Sequence, residues 1–416
     1  MPKLGSCKFN ENFLHMSRIF IECQPSELFK KESQSHVFEE RCLVLAKDED
    51  IVVTSYKIDP SYLCYLTNLG IGPGPTLYCP SKVTQDLAAS ILEDRYLLDE
   101  LKSRAEGYGV DIFVPGQSVD LLNAELQMPV NFPRNFYDSY STKTGFYQLA
   151  RDIDLPTPNY FVANEHNHRK FMKFASDFKN TVFKSNNTIG GLGVFSGLPS
   201  RENFTNVSGN SPTYVIEEAI ETRHHGSVQL FYTDDDQYRM IIDECFATNN
   251  SFVGFEYPPN FDLSIVSLIE AHAHSVAQYI KRGNVDITYC GIDFIISKSG
   301  DIFFHDLNPR KTGVLYPMAF IERFLKRERL NSYHVKTITL RIRADLTFSD
   351  IFRVLEPSGL LIKNKNDEGI LIFNPQRLST GCLSLIALAW DSDQPFLTQA
   401  ANVLNKSGIL INDGLN

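Results

Sequence analysis

The stretch Tyr289–Gly313, YCGIDFIISKSGDIFFHDLNPRKTG, limits what this chain can fold into more than any other part of it. Two alternating apolar runs flank Ser299-Gly300, a dipeptide suited to the positive φ angles of a two-residue hairpin turn. A turn there pairs Asp293 with Asp306 and brings their Cβ atoms to about 5 Å on one face of the ladder. Two carboxylates so placed repel each other, and a hard divalent cation such as Mg²⁺, which takes oxygen ligands, relieves the repulsion. Side chains alternate along a strand, so Asp306, Asn308 and Arg310 point one way and Leu307 and Pro309 the other. The shared face offers two carboxylates, an amide oxygen and a guanidinium. That set suits a metal-bound polyphosphate, with the arginine placed against charge developing on a transferred phosphoryl group. The competing reading of the same residues is a hairpin edge whose polar side chains face water.

The rest of the chain has the size and chemistry to support such a site. With 416 residues it can form two or three domains, and 43% hydrophobic with 22% charged residues is ordinary globular composition. A net charge of −10 argues against a nucleic-acid or anionic-membrane surface, since both need clustered Lys and Arg. The eight cysteines are scattered without a CxxC pair, and no histidine falls at zinc-ligand spacing, so buried free thiols in a reducing cytosol are expected. No apolar run approaches the roughly 18 residues of a membrane span, and no signal-peptide core opens the chain. A cytoplasmic protein is expected, with no membrane or nucleic-acid partner; a homodimer is compatible with these features.

Residues 1–40 show no clear period and read as an N-terminal arm. From Arg41 onward, RCLVLAK, DIVVTSYKI, TLYCP and GVDIFVPG alternate with helical patterns, one capped by Gly70 and another spanning Val83 to Glu106, which predicts a small parallel sheet over residues 41–138. Gly70, Gly72 and Gly74 fail the GxGxxG spacing and precede a strand, so they mark a loop.

Residues 139–334 carry most of the polar motifs. Lys143 lies near the start of a capped helix, and a strand ending at Lys184 runs into a loop with Gly190, Gly191 and Gly193. Backbone N–H groups of such a loop can wrap a phosphate while the lysine adds a point charge, although a glycine-rich hairpin tip needs no ligand. No GK[ST] follows, which excludes a Walker A loop. Glu217 and Glu218 end an apolar strand and could hydrogen-bond a nucleotide, or simply be solvated. His224 and His225 are expected in a loop, and His272 and His274 face different sides of a helix, so joint ligation of a metal is not expected. Residues 335–416 read as a small α+β unit.

In this order the motifs resemble the ATP-grasp superfamily over roughly residues 140–325. A lysine on a helix, a lysine-ended strand with a glycine loop, an acidic strand end, and an Asp hairpin closing on Asn and Arg all recur. The resemblance implies a Rossmann-like pre-ATP-grasp domain, an ATP-grasp core of two α+β subdomains, and ATP with Mg²⁺ as cofactors. It implies that Lys143 and Lys184 meet nucleotide phosphates, that Gly190, Gly191 and Gly193 cover them, and that Glu217, Glu218 and the backbone at Ile220 hold adenine and ribose. Asp293, Asp306 and Asn308 become metal ligands, with Arg310 and Lys184 catalytic. The metal strand of this family commonly ends E-x-N-x-R; here it is Asp306-Leu307-Asn308-Pro309-Arg310, with the ligand one methylene shorter.

The implied reaction joins a small carboxylate to an amino-acid or peptide amine through an acyl phosphate, with release of ADP and phosphate. The tail EGILIFNPQRLSTGCLSLIALAWDSDQ, with GFEYPP at Gly254–Pro259, is similar to the closing domain of pheganomycin-type peptide ligases. Two alternatives stay open: the same chemistry with a carrier-protein thiol or other non-peptide acceptor, and a nucleotide-binding regulator without turnover.

Overall fold

Short apolar strands and capped helices build the computed structural model, which describes residues 16–22, 38–80, 86–104, 106–131, 134–164, 166–187, 193–198, 200, 213–232, 238–248, 251–282, 288–325, 333–390 and 395–411. The chain forms two compact units, one mainly of Phe132–Val253 and Pro259–Thr312, the other of Asn10–Asn131, Gly254–Pro258 and Gly313–Asn416.

The second of these contains a parallel sheet of β1 (Ser17–Ile21), β2 (Ile51–Thr54), β3 (Thr76–Tyr78) and β4 (Tyr108–Ile112), in the order β3-β2-β1-β4. Ile19, Phe20, Ile21, Ile51 and Val52 are fully buried, as parallel strands covered on both faces should be. The expectation of an arm over residues 1–40 fails at β1, which pairs with both β2 and β4. SRIFI is too short to show a period, and its polar start hides an apolar end. The helical pattern from Val83 to Glu106 also resolves differently, as two helices, Leu87–Glu93 and Arg95–Ser103. Asp94 separates them: it leaves helical geometry at ψ 92° and its carboxylate caps Leu97 N of the second helix.

In the first unit, β5 (Tyr160–Ala163), β6 (Thr181–Ser185), β7 (Val194–Gly197) and β8 (Tyr214–Glu218) form an antiparallel sheet ordered β5-β8-β6-β7. Phe183, Tyr214 and Ile216 pack there against Phe171 and Ala175 of the helix His168–Ala175. The chain continues through β9 (Thr222–Tyr232), β10 (Tyr238–Thr248), β11 (Ser251–Tyr257), β12 (Tyr289–Ser297) and β13 (Ile302–Asn308). Of these, β13, β12, β9 and β10 lie side by side, all antiparallel. One face of this sheet is apolar: Val228, Leu230, Ile292, Phe294 and Phe304 pack with Phe146 and Leu149 of the helix Lys143–Asp152 and with Ile269, Ala273 and Val276 of the helix Leu263–Arg282. His224 and His225, expected in a loop, lie within β9. A Cβ at Gly226 would fall 2.4 Å from Phe294 Cζ and 2.6 Å from Asp243 O, so only glycine lets β9 run this close to its neighbours.

The C-terminal strands belong to the second unit, where β14 (His334–Arg341), β15 (Gly369–Phe373) and β16 (Cys382–Ala389) pair antiparallel with β16 in the middle, and Glu256 and Tyr257 of β11 pair with Lys336 and Val335. Among the described residues no helix is long and apolar enough to cross a membrane. Cys42, Cys64, Cys79, Cys245, Cys290 and Cys382 are free thiols; Cys64 is exposed, against the expectation of burial.

Candidate active site

The hairpin of β12 and β13 departs from strict alternation twice. Its connection is three residues, Lys298–Gly300, rather than two: Ser297 N donates to Asp301 O at 2.9 Å, Gly300 N to Ser297 O at 3.0 Å, and Gly300 sits at φ 95°. From there Ile296 pairs with Ile302 and Phe294 with Phe304; the register then slips, and Asp293 pairs with Asp306 and Gly291 with Asn308. His305 is the extra residue, a β-bulge of the kind that re-aims a side chain. The two one-residue departures cancel, so the facing aspartates expected from a shorter turn are present. The bulge has a cause in the sequence. Ile302, Phe304 and Asp306 are two apart and would share a face, yet Ile302, Phe304 and Leu307 all enter the core. One extra residue between Phe304 and Leu307 lets all three do so and leaves Asp306 on the polar face.

Around these aspartates the polar side chains are already engaged with one another. Lys143 forms an ion pair with Asp306. Asn308 Nδ2 donates to Asp293 Oδ2 at 3.0 Å, and Arg310 donates from NH2 to Asn308 Oδ1 at 2.7 Å and from NH1 to Lys311 O at 3.1 Å. Burial, and then the facing Asp306, push the Asp293 carboxyl up to about 6; Lys143, Arg310 and Asn308 act the other way. Lys143 is aimed by the start of its helix, where Thr142 caps Gly145 N and Asn186, just past β6, accepts from Thr144 N and Oγ1 through its side chain and from Lys143 N through its carbonyl.

Lys184 belongs to the same constellation. On β6 it pairs with Val215 of β8, which puts it on the face that Glu217 shares, and the two form a buried ion pair at 2.6 Å. Its ammonium also donates to His305 Nδ1 at 3.3 Å and His305 O at 3.2 Å. A lysine only donates, so Nδ1 must be the unprotonated nitrogen. Burial, Lys184, His225 and Lys143 together hold the His305 imidazole well below its ordinary range.

The remaining expected residues are placed less tightly. Glu218 accepts from Asn159 Nδ2 at 2.7 Å, away from the Lys184 pair, and the carbonyl of Ile220 takes Thr222 Oγ1 at 3.1 Å in the β8–β9 connection. Gly193, at φ 68°, closes the β6–β7 hairpin through Ser185 N, while Gly190 and Gly191 lie outside the described residues.

Four residues of β9 and β10, with Thr312, extend the polar face beyond the residues singled out from the sequence. Asp306, Asp293, Ser227 and Asp243 form one row across four strands. Thr312 Oγ1 donates to Gln229 Oε1 at 2.6 Å, Gln229 Nε2 to Ser227 Oγ at 2.7 Å, Ser227 Oγ to Asp243 Oδ2 at 2.8 Å, and Cys245 Sγ to Asp243 Oδ1 at 3.0 Å. The signal was the alternation of Ser227 and Gln229 with Val228 and Leu230. Asp243 is fully buried, and burial pushes its carboxyl up to about 7 despite these neutral donors. Its folded pKa lies above the unfolded value of about 3.9, so between those pH values the folded state holds more protons and stability falls as pH rises. Asp243→Asn should remove that slope: relative to the native chain it should gain about 1–4 kcal/mol between pH 5 and pH 8 in urea unfolding. Parallel pH profiles for the two proteins would refute this.

The donor set fits a hard divalent cation: two facing carboxylates and an amide oxygen, on adjacent strands, with no group of three or more His, Cys, Asp or Glu among the described residues to compete for it. Asn308 Oδ1 accepts from Arg310 here, so ligation through that oxygen requires the guanidinium to let go.

Comparison with known proteins identifies the domains that carry these residues. The Pre ATP-grasp domain family matches residues 39–126, and the ATP-grasp domain family matches residues 140–314. No curated protein matches the sequence. Among solved structures, a biotin carboxylase from Campylobacter jejuni in a β,γ-ATP complex superimposes with TM-score 0.62 at 12% identity, covering 96% of this chain and 92% of that one. An N5-carboxyaminoimidazole ribonucleotide synthetase bound to ADP gives TM-score 0.60 at 10% identity over 94% of this chain and 97% of its own. An N5-carboxyaminoimidazole synthase from Aspergillus clavatus, with ADP and 5-aminoimidazole ribonucleotide, gives 0.59 at 10% over 94% and 100%. At these identities the likeness is one of fold. The two domain families, in this order along one chain, make the protein a member of the ATP-grasp superfamily.

Proposed function

We propose that this protein is an ATP-dependent, ADP-forming carboxylate–amine ligase whose acceptor is an amino acid or peptide. The observation that carries the reading is the joining of Asp293, Asp306, Asn308 and Arg310 with Lys143 and Lys184 in one polar constellation. Mg²⁺ bound by Asp293, Asp306 and Asn308 would supply charge neutralisation for the polyphosphate. Lys143 and Lys184 add positive charge where phosphate oxygens approach. Lys184 is oriented by the neutral His305 imidazole, and Arg310 stabilises charge on the phosphoryl group in transfer.

An oxygen of the substrate carboxylate forms a bond to the γ-phosphorus as the bond to ADP breaks. The amine nitrogen then attacks the acyl carbon, the carbon–oxygen bond to phosphate breaks, and the nitrogen loses a proton to give the amide. No side-chain nucleophile enters either step. The tail similarity to pheganomycin-type ligases supports a peptide acceptor. Incubation with Mg-ATP, hydroxylamine and pools of amino acids should yield ADP and a hydroxamate in equal amounts. ATP binding without either product across all pools would favour a nucleotide-binding regulator and overturn the ligase reading; acyl transfer to carrier thiols but not to amines would overturn the choice of acceptor.

A further inference from the structure

The parallel sheet of the second unit has its own place for a ligand. In an open parallel sheet, ligands bind outside the carboxyl ends of the strands where the strand order reverses. Here β1 is flanked by β2 on one side and β4 on the other, so the reversal lies between β1 and β4. The residues that follow those two strands are Glu22 and Phe113.

Arg41 stands at this edge. It is 8% exposed, and its guanidinium carbon lies 4.0 Å from the ring centroid of Phe113, 4.7 Å from that of Tyr316 and 5.1 Å from that of Phe38. Its Nε donates to Glu22 Oε2 at 3.4 Å, and Glu22 also accepts from the Tyr316 hydroxyl. Its NH2 nitrogen is buried with no hydrogen-bond partner. The neighbouring charges are turned elsewhere. Glu39 takes Ser55 N at 2.7 Å, Glu40 takes Gln376 N at 2.9 Å, and Arg377, 5.2 Å from the Phe38 ring on its own account, donates to Thr339 and Ser384.

A buried charged donor without an acceptor is costly, and a chain that keeps one at a ligand-binding edge has a use for it. With aromatic rings stacked about it, the guanidinium can offer hydrogen bonds only through the edge of its plane, which matches the plane of a carboxylate. Glu22 beside it disfavours a phosphate dianion. We propose that Arg41 holds the carboxylate of a small-molecule ligand at the carboxyl edge of this sheet, with Phe38 and Phe113 against the ligand's apolar part.

The proposal concerns binding alone, so its test needs neither ATP nor turnover and can fail while the ligase reading stands. The full-length protein is titrated by isothermal calorimetry with acetate, benzoate, L-alanine, L-phenylalanine and inorganic phosphate, each also followed by thermal shift. At least one carboxylate should bind, and Arg41→Met should abolish that binding. Arg41→Lys, which keeps the charge and an aliphatic stem but loses the planar fork, should weaken it by about tenfold or more and covers the case in which Arg41→Met fails to fold by circular dichroism. Binding of none of the carboxylates, carboxylate binding unchanged in the folded variants, or binding of phosphate alone would each overturn the assignment.

Discussion

Arg310→Ala should lower kcat by about 10²–10³-fold while the affinity for ATP changes by only a few-fold. Removing one preorganised donor from a site where charge develops has that size of effect, and the loss falls on the chemical step because the ground state needs the donor less. The geometry gives a reason to expect the split. Arg310 donates to Asn308 Oδ1 and Lys311 O, and these contacts hold it at the face of the two aspartates before any nucleotide arrives. A phosphoryl group in transfer would offer the guanidinium an anion in place of the neutral Asn308 amide. Arg310→Lys should recover only part of the rate, since an ammonium keeps the charge and loses the planar fork. Steady-state kinetics with ATP as the varied substrate decide the matter. A variant whose defect lies in KM, with kcat near the native value, would show that Arg310 binds the nucleotide and does not act in the transfer.

How much of this was legible in the sequence depends on which physical rule each residue obeys. Asp293 and Asp306 could be set opposite each other from turn chemistry and strand alternation, but in the structure they face each other through two compensating departures: a connection one residue longer, and a bulge at His305 that restores the register. The bulge was readable, because Phe304 and Leu307 are both apolar at odd spacing and strict alternation would expose one of them. Lys143 was singled out by resemblance and Lys184 first by its place at a strand end before a glycine loop; nothing in local spacing brings them to residues 306 and 305, which only the packing of separate elements does. Glu217 was expected at the nucleotide and is found first as the counter-ion of Lys184. Asp243, in MIIDECF, has the pattern of an ordinary strand carboxylate, and its burial depends on β9 and β10 pairing in one register out of several. Strand β1 was missed because five residues carry too little periodicity to be told from an irregular arm.

Lys184→Met should destabilise the protein by about 3–5 kcal/mol, because it leaves the Glu217 carboxylate buried without its cation. Both side chains are almost wholly buried, 7% and 4% exposed, so solvent cannot replace the partner. Glu217→Gln should cost a similar amount by stranding the ammonium, eased by the acceptors His305 Nδ1 and His305 O that remain to it. The double variant Lys184→Met/Glu217→Gln removes both charges together and should recover at least 2 kcal/mol relative to the sum of the single changes, as coupling within a buried pair requires. Function should not follow stability. The double variant should refold and still bind ATP about tenfold or more weakly, because the recovered stability restores packing but not the charge that meets a phosphate. Urea unfolding of the four proteins gives the coupling energy and ATP titration gives the rest. Additive losses would show that the ion pair contributes nothing specific, and full recovery of ATP binding in the double variant would show that Lys184 serves the fold alone.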